Sequence, residues 1–114
     1  MLVCRFSQMH CESCVNSAIQ IFKEWVKASG VQNVMFLGGG HLNNGIFKRT
    51  ISLYGIQGMK VYNASSLDIP AEELGYPYFF ILDRNLQISN VFVPDKGQPA
   101  LTKMYLEKIQ KRFY

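Results

Sequence analysis

The chain has 114 residues, which is enough for one domain with a modest core and too few for two. A hydrophobic content of 48% with 13% aromatic residues excludes an intrinsically disordered chain. The net charge is +4, but the basic residues form no dense patch with aromatic platforms, so we expect no nucleic-acid partner, and no apolar run approaches the length of a membrane span.

The first third of the chain predicts a βαβ unit. Residues 2–6 form a short apolar strand, so we expect no signal peptide within this chain. Apolar residues then recur at three- and four-residue spacing over residues 14–29, which predicts an amphipathic helix that ends at Gly30. The apolar run at 31–37 predicts a second strand, parallel to the first.

The middle of the chain predicts shorter elements. The glycine-rich residues 38–45 form a connector, in which we expect His41 to be a solvated loop residue. A second helix is expected over 46–54 and a short strand over 59–62. Residues 63–74 are expected to be a loop with one helical turn near its end.

The last third predicts a β-hairpin followed by a helix. Residues 78–82 are too apolar for a half-exposed strand, and 86–93 return as an antiparallel partner after a tight turn. Pro99 lies in the first turn of a C-terminal helix. The apolar stripe of that helix is expected to consist of Leu101, Tyr105, Ile109 and Phe113.

Two of the three cysteines form a C-x-x-C motif at the start of the first helix. Cys11 and Cys14 follow the first strand directly, and the unsatisfied N–H groups and macrodipole of a helix N-terminus favour a thiolate. The thiolate is the form that attacks disulfides, so this placement predicts a thiol–disulfide site. Cys4 lies within the strand and is expected to be a buried, inert thiol.

The order of these elements, the C-x-x-C and a proline-led hairpin beginning at Pro77 resemble the thioredoxin-like superfamily, and most closely its TlpA-like thiol–disulfide oxidoreductases. The resemblance implies an α/β fold: a three-layer α/β/α domain with a mixed sheet of about four to five strands and a C-terminal β-hairpin plus helix. Residues 1–114 would be a single domain that lacks the N-terminal strand or helix of the full fold. An exposed sheet edge would then favour dimerisation.

The resemblance also implies roles for individual residues. Cys11 would be the attacking thiolate and Cys14 the resolving cysteine. Pro77 would be preceded by a cis peptide bond, and Tyr76 would offer backbone groups to an extended substrate. The partners would be protein or small-molecule thiols and disulfides, on the oxidising, periplasmic side of a bacterial inner membrane. The segment Ser7–His10 lacks the Pro and Thr of the peroxidase variant, so peroxide reduction is disfavoured.

Four positions depart from the thioredoxin pattern, since Glu12 and Ser13 replace the Gly-Pro between the two cysteines. His10 replaces the Trp before the first cysteine, and Arg5 replaces a buried acid six residues before it. His10 would favour a Cys11 thiolate, whereas the negative charge of Glu12 would raise the pKa of that thiol. The direction of electron transfer is therefore left open.

Two other classes of function are compatible with the same residues. The chain could be a redox-inactive binding module of a larger exported protein, because a fold does not fix a function. A small zinc site could use His10, Cys11 and Cys14, with Cys4 or His41 as the fourth ligand. Neither a resident metal nor another cofactor is expected from the dithiol hypothesis.

Overall fold

The computed structural model describes residues 1–41 and 43–114. Their elements alternate in the predicted order, with the first helix beginning two residues earlier than the periodicity indicates. The elements are β1 (Leu2–Arg5), α1 (Glu12–Ser29), β2 (Val34–Gly38), α2 (Asn44–Tyr54), β3 (Val61–Asn63), a 3₁₀ turn (Pro70–Leu74), β4 (Tyr78–Leu82), β5 (Ile88–Phe92) and α3 (Pro99–Phe113).

The strands form one mixed sheet in the order β3-β2-β1-β4-β5. β1, β2 and β3 are parallel, whereas β4 runs antiparallel to β1 and to β5. The predicted βαβ unit and C-terminal hairpin are confirmed, and so is the thioredoxin-like α/β class. β1 lies at the centre with every residue buried, and its C-terminal end leads into the C-x-x-C.

The two faces of the sheet are covered differently. Alternate residues of β1, among them Leu2 and Cys4, face the core to which α1, α2 and α3 all contribute. Val3 faces the other side, where Ala71 of the 3₁₀ turn covers it together with Leu67 and Ile69. The layering is therefore α/β/α in outline, with the second helical layer reduced to a single turn and its flanking segments.

β5 forms an edge of the sheet and is mostly exposed. The ladder between β4 and β5 shifts register between Phe79 and Ile81, and Asn90 adopts a positive φ of 53°. Such bulges reduce the capacity of an edge strand to pair with another chain. Dimerisation through a sheet edge stays a prediction.

The predicted apolar stripe of α3 is confirmed at Tyr105 and Ile109, which pack in the core, and is wrong at its two ends. The buried residues of α3 are Thr102, Leu106 and Ile109, whereas Leu101 is 47% exposed and Phe113 40% exposed. A strict four-residue repeat drifts by about 40° per step around a helix of 3.6 residues per turn. Positions 101 and 113 therefore cannot both face the sheet.

Candidate functional site

The dithiol lies where β1 passes into α1. Cys11 is the N-cap residue of α1, and its Sγ accepts a hydrogen bond from the backbone N–H of Cys14 at 3.3 Å. A cysteine sulfur thus takes the place of the oxygen that usually caps a helix. Cys11 and Cys14 form a disulfide, with their Cα atoms 5.2 Å apart. The predicted C-x-x-C pairing is present, and Cys4 is fully buried, where desolvation raises the pKa of its thiol.

An open cleft of about 840 Å³ lies beside the disulfide, between the N-terminus of α1, the loop that precedes it and α2. Cys11 is among the residues that line the cleft and Cys14 is not. The volume lies within the range of small-molecule binding sites. The lining residues are Phe6, Ser7, Gln8, His10, Cys11, Glu12, Ser13, Val15, Asn16, His41, Thr50, Leu53 and Tyr54.

His10 lies in the cleft wall but its hydrogen bond is to the backbone. Its Nδ1 accepts from the N–H of Ser7 at 3.0 Å, so the neutral ring carries its proton on Nε2. Burial lowers the pKa of His10, an effect that Glu72 opposes and Arg5 reinforces. The imidazole is therefore neutral at pH 7, and it is not a cation beside the Cys11 sulfur.

Glu12 is the first residue of α1 and is exposed. A carboxylate stabilises the positive end of the helix dipole at this position. Both histidines of the cleft are neutral, so the charge of the cleft comes from Glu12, the one acidic residue among the described residues that line it. Its charge also contributes, after burial, to raising the pKa of Tyr54 across the cleft.

Ser13 and Lys96 were not found by sequence reasoning. The Ser13 Oγ lies 3.3 Å from the Cys11 Sγ, and the Lys96 Nζ donates a hydrogen bond to the same Oγ at 2.8 Å. Lys96 lies between β5 and α3, 83 positions from Ser13. No local pattern links the two residues; the fold alone brings them together.

A buried ion pair lies at the C-terminal end of β1, six residues before Cys11. Arg5 is 1% exposed, and its guanidinium binds the Glu72 carboxylate through Nε at 2.7 Å and a second nitrogen at 3.2 Å. Arg5 also donates to the carbonyls of Gly38 and Ala64, and the Tyr78 hydroxyl donates to Glu72 at 2.7 Å. The Arg5–Glu72 pair and these hydrogen bonds therefore connect β1 with β2, β4 and the 3₁₀ turn.

The electrostatics of Glu72 follow from these contacts. Burial alone would raise its pKa, but the hydrogen bonds from Arg5 and Tyr78 and the charge of Arg5 together hold the pKa below its usual range. At Gly39 a Cβ atom would lie 2.6 Å from an Arg5 guanidinium nitrogen, so the close approach of the guanidinium requires a glycine there. Position 5, where the resemblance expects a buried acid, thus holds the positive charge of Arg5. The acid that pairs with it is Glu72 of the 3₁₀ turn.

The predicted cis bond before Pro77 is wrong, because the Tyr76–Pro77 peptide bond is trans. Gly75 ends the 3₁₀ turn in the left-handed conformation, with φ of 76°, and the chain then enters β4 through a trans bond, which is the lower-energy form. Tyr76 is 48% exposed and Pro77 is buried. Neither residue lines the cleft beside Cys11, so substrate binding by this pair stays a prediction.

His41 differs from its expected state. It is half-buried rather than solvated, with its ring 4.9 Å from that of Phe47 and 6.1 Å from that of Phe6. Among the described residues, neither ring nitrogen meets a hydrogen-bond partner, and burial lowers the pKa of His41 more than the nearby Asn63 side chain raises it. His41 and Cys11 thus line the same cleft.

The ligands of the zinc alternative are not assembled. Cys4 lies in the core, and Cys11 is bonded to Cys14. Within residues 1–41 and 43–114, no three His, Cys, Asp or Glu side chains form a group that could hold a metal ion. The zinc alternative therefore has no support from the geometry.

The sequence matches no protein-family model and no curated protein. Over the described part of the chain, no helix has both the length and the apolarity needed to cross a membrane. The features of the chain that bear on a function are therefore the dithiol, its hydrogen bonds and the cleft beside it.

Proposed function

We propose that this chain is a thiol–disulfide oxidoreductase of the TlpA-like branch of the thioredoxin-like superfamily, acting through Cys11 and Cys14. The observation that carries the proposal is the position of the Cys11 sulfur. It caps α1, accepts the N–H of Cys14, is bonded to the Cys14 sulfur and lines an open cleft. A helix N-terminus and a directed N–H stabilise a thiolate at this atom.

In the reducing direction, the Cys11 thiolate attacks one sulfur of a substrate disulfide. The substrate S–S bond breaks, a mixed disulfide forms and the first substrate thiolate leaves with an electron pair. The Cys14 thiolate then attacks the Cys11 sulfur, which releases the second substrate thiolate and leaves the Cys11–Cys14 disulfide. Two electrons pass from the protein to the substrate, and a thiol reductant must restore the dithiol.

In the oxidising direction, the same two exchanges run in reverse, with a substrate dithiol as the electron donor. Glu12 disfavours the Cys11 thiolate, whereas the helix dipole favours it. The balance of these effects contributes to the reduction potential of the Cys11–Cys14 pair, and the direction of exchange depends on that potential relative to the potential of the substrate. We propose an exported location on the oxidising side of a bacterial inner membrane, which is supported only by the resemblance and is tested by fractionation of native cells.

Turnover of disulfide substrates tests the function. Reduction of insulin by dithiothreitol and reactivation of scrambled ribonuclease should both be accelerated by the wild-type chain and not by Cys11→Ser. Cys4→Ala is the matched control, because it removes a thiol that is fully buried and should keep full activity once circular dichroism confirms its fold. Equal rates for wild type and Cys11→Ser would contradict the proposal and favour a binding module.

A further inference from the structure

We infer that Lys96 is a positioning residue for the redox site, which acts on Cys11 through the Ser13 hydroxyl. The inference rests on the proposed function, because it assigns a residue that tunes the reactivity of the same Cys11–Cys14 dithiol. It comes from a chain of three atoms: the Lys96 Nζ lies 2.8 Å from the Ser13 Oγ, which lies 3.3 Å from the Cys11 Sγ.

The direction of these hydrogen bonds follows from the chemistry of the groups. A lysine ammonium can only donate, so the Ser13 oxygen accepts from Lys96. A disulfide sulfur or a thiolate carries no proton, so the Ser13 hydroxyl donates its own hydrogen to Cys11. Lys96 thus fixes the rotation of the Ser13 hydroxyl so that its hydrogen points at the Cys11 sulfur. A thiolate at Cys11 would receive two donors, the Ser13 O–H and the Cys14 N–H.

The turn between β5 and α3 sets the position of Lys96. The Asp95 carboxylate accepts from the N–H of Gly97 at 2.8 Å, and the Asp95 carbonyl accepts from the N–H of Gln98 at 2.9 Å. Lys96 is therefore held at the second position of a tight turn immediately before Pro99 begins α3. Within the described residues, no carboxylate pairs with Lys96, so its charge acts on the site.

Glu12 opposes the effect of Lys96 on the Cys11 thiolate, whereas His10 changes it little. Glu12 carries a negative charge in the cleft wall, and His10, which burial keeps neutral, adds none. Lys96 and Ser13 are both exposed, so solvent screens the ammonium and its effect is moderate. A cation and a directed donor stabilise the reduced, thiolate form, which makes the disulfide easier to reduce.

Alkylation kinetics of the reduced protein test this inference without any need for turnover. In a Cys14→Ser background, Lys96→Gln should slow the reaction of Cys11 with iodoacetamide below neutral pH by about threefold, and Ser13→Ala should slow it by at least as much. The double variant should be no slower than Ser13→Ala, because Lys96 acts through that hydroxyl. Lys108→Gln, an exposed lysine of α3, is the control and should change nothing.

The reduction potential gives an independent readout. With both cysteines present, a threefold change in the equilibrium with glutathione lowers the potential of Lys96→Gln by about 14 mV. The difference from wild type should shrink in 1 M salt, where charges are screened. Identical values for Lys96→Gln and Lys108→Gln, or additive effects of Lys96→Gln and Ser13→Ala, would overturn the inference. A chain that shows these shifts but catalyses no exchange would refute the proposed function alone.

Discussion

Replacing Glu72 by alanine should destabilise the fold at the C-terminal end of β1, from which the chain continues to the dithiol. The substitution leaves the Arg5 guanidinium, 1% exposed, without its counter-ion and leaves the Tyr78 hydroxyl without its acceptor. Loss of one partner from a buried ion pair costs about 3–5 kcal/mol. Because Arg5 keeps the Gly38 and Ala64 carbonyls and Glu72 is 16% exposed, we expect the lower end, about 3 kcal/mol.

The assay is equilibrium unfolding in urea, with Glu73→Ala as the matched control. Glu73 lies in the same 3₁₀ turn but is exposed, so its removal should change the free energy of unfolding by less than about 0.5 kcal/mol. A domain of this size has a total stability of about 5–15 kcal/mol, so a loss of about 3 kcal/mol is readily measured. Equal losses for the two variants would refute the argument that the Arg5–Glu72 pair is a supporting contact.

The pH dependence gives the same prediction a second test. The pKa of Glu72 is lower in the folded chain than its ordinary value of 4.5. The unfolded state therefore binds more protons in this range, and the contribution of Glu72 is present above pH 4.5 and lost as the pH falls through the folded pKa. Wild type should lose stability over that interval more steeply than Glu72→Ala. Parallel curves would show that the carboxylate is not held by the network.

Three further outcomes are expected from the site and the core. Glu12→Gln should accelerate alkylation of Cys11 about two- to threefold at low salt, because it removes a negative charge from the residue next to Cys11; unchanged kinetics would exclude Glu12 as a tuning residue. Titration of His10 by NMR should give a pKa below the ordinary 6.5, because burial disfavours the charged ring; a value above 6.5 would contradict the described environment. Leu106→Ala should lower the free energy of unfolding by about 2–5 kcal/mol, whereas Leu101→Ala should have little effect; the reverse order would restore the α3 stripe that the sequence predicts.

Local patterns were sufficient for most of the fold. The apolar spacing of α1 and the stops at Gly30 and Gly55 depend on interactions within one element, and both helices end where expected. The position of Cys11 at a strand-to-helix junction follows from the same local reasoning. The parallel βαβ order then follows from the handedness of crossovers, which leaves few topologies for so short a chain.

The contacts missed by the sequence interpretation are those between distant segments. Arg5 meets Glu72 across 67 positions, and Ser13 meets Lys96 across 83. Each is a common residue in an ordinary local context, so its partner becomes visible only when the sheet is assembled. His41 became part of the cleft for a similar reason, since aromatic packing against Phe47 and not its own loop sequence determines its burial.

The most direct test of the central claim is to identify which sulfur reacts with a substrate disulfide. A disulfide-bonded peptide is incubated with reduced Cys14→Ser and reduced Cys11→Ser, and the adducts are mapped by mass spectrometry. We expect a stable mixed disulfide at Cys11 in Cys14→Ser, and a much slower reaction at Cys14 in Cys11→Ser, because Cys11 lines the cleft and receives the helix N–H. No adduct at Cys11, or equal rates at both sulfurs, would contradict the proposal that Cys11 is the attacking thiolate of a thiol–disulfide oxidoreductase.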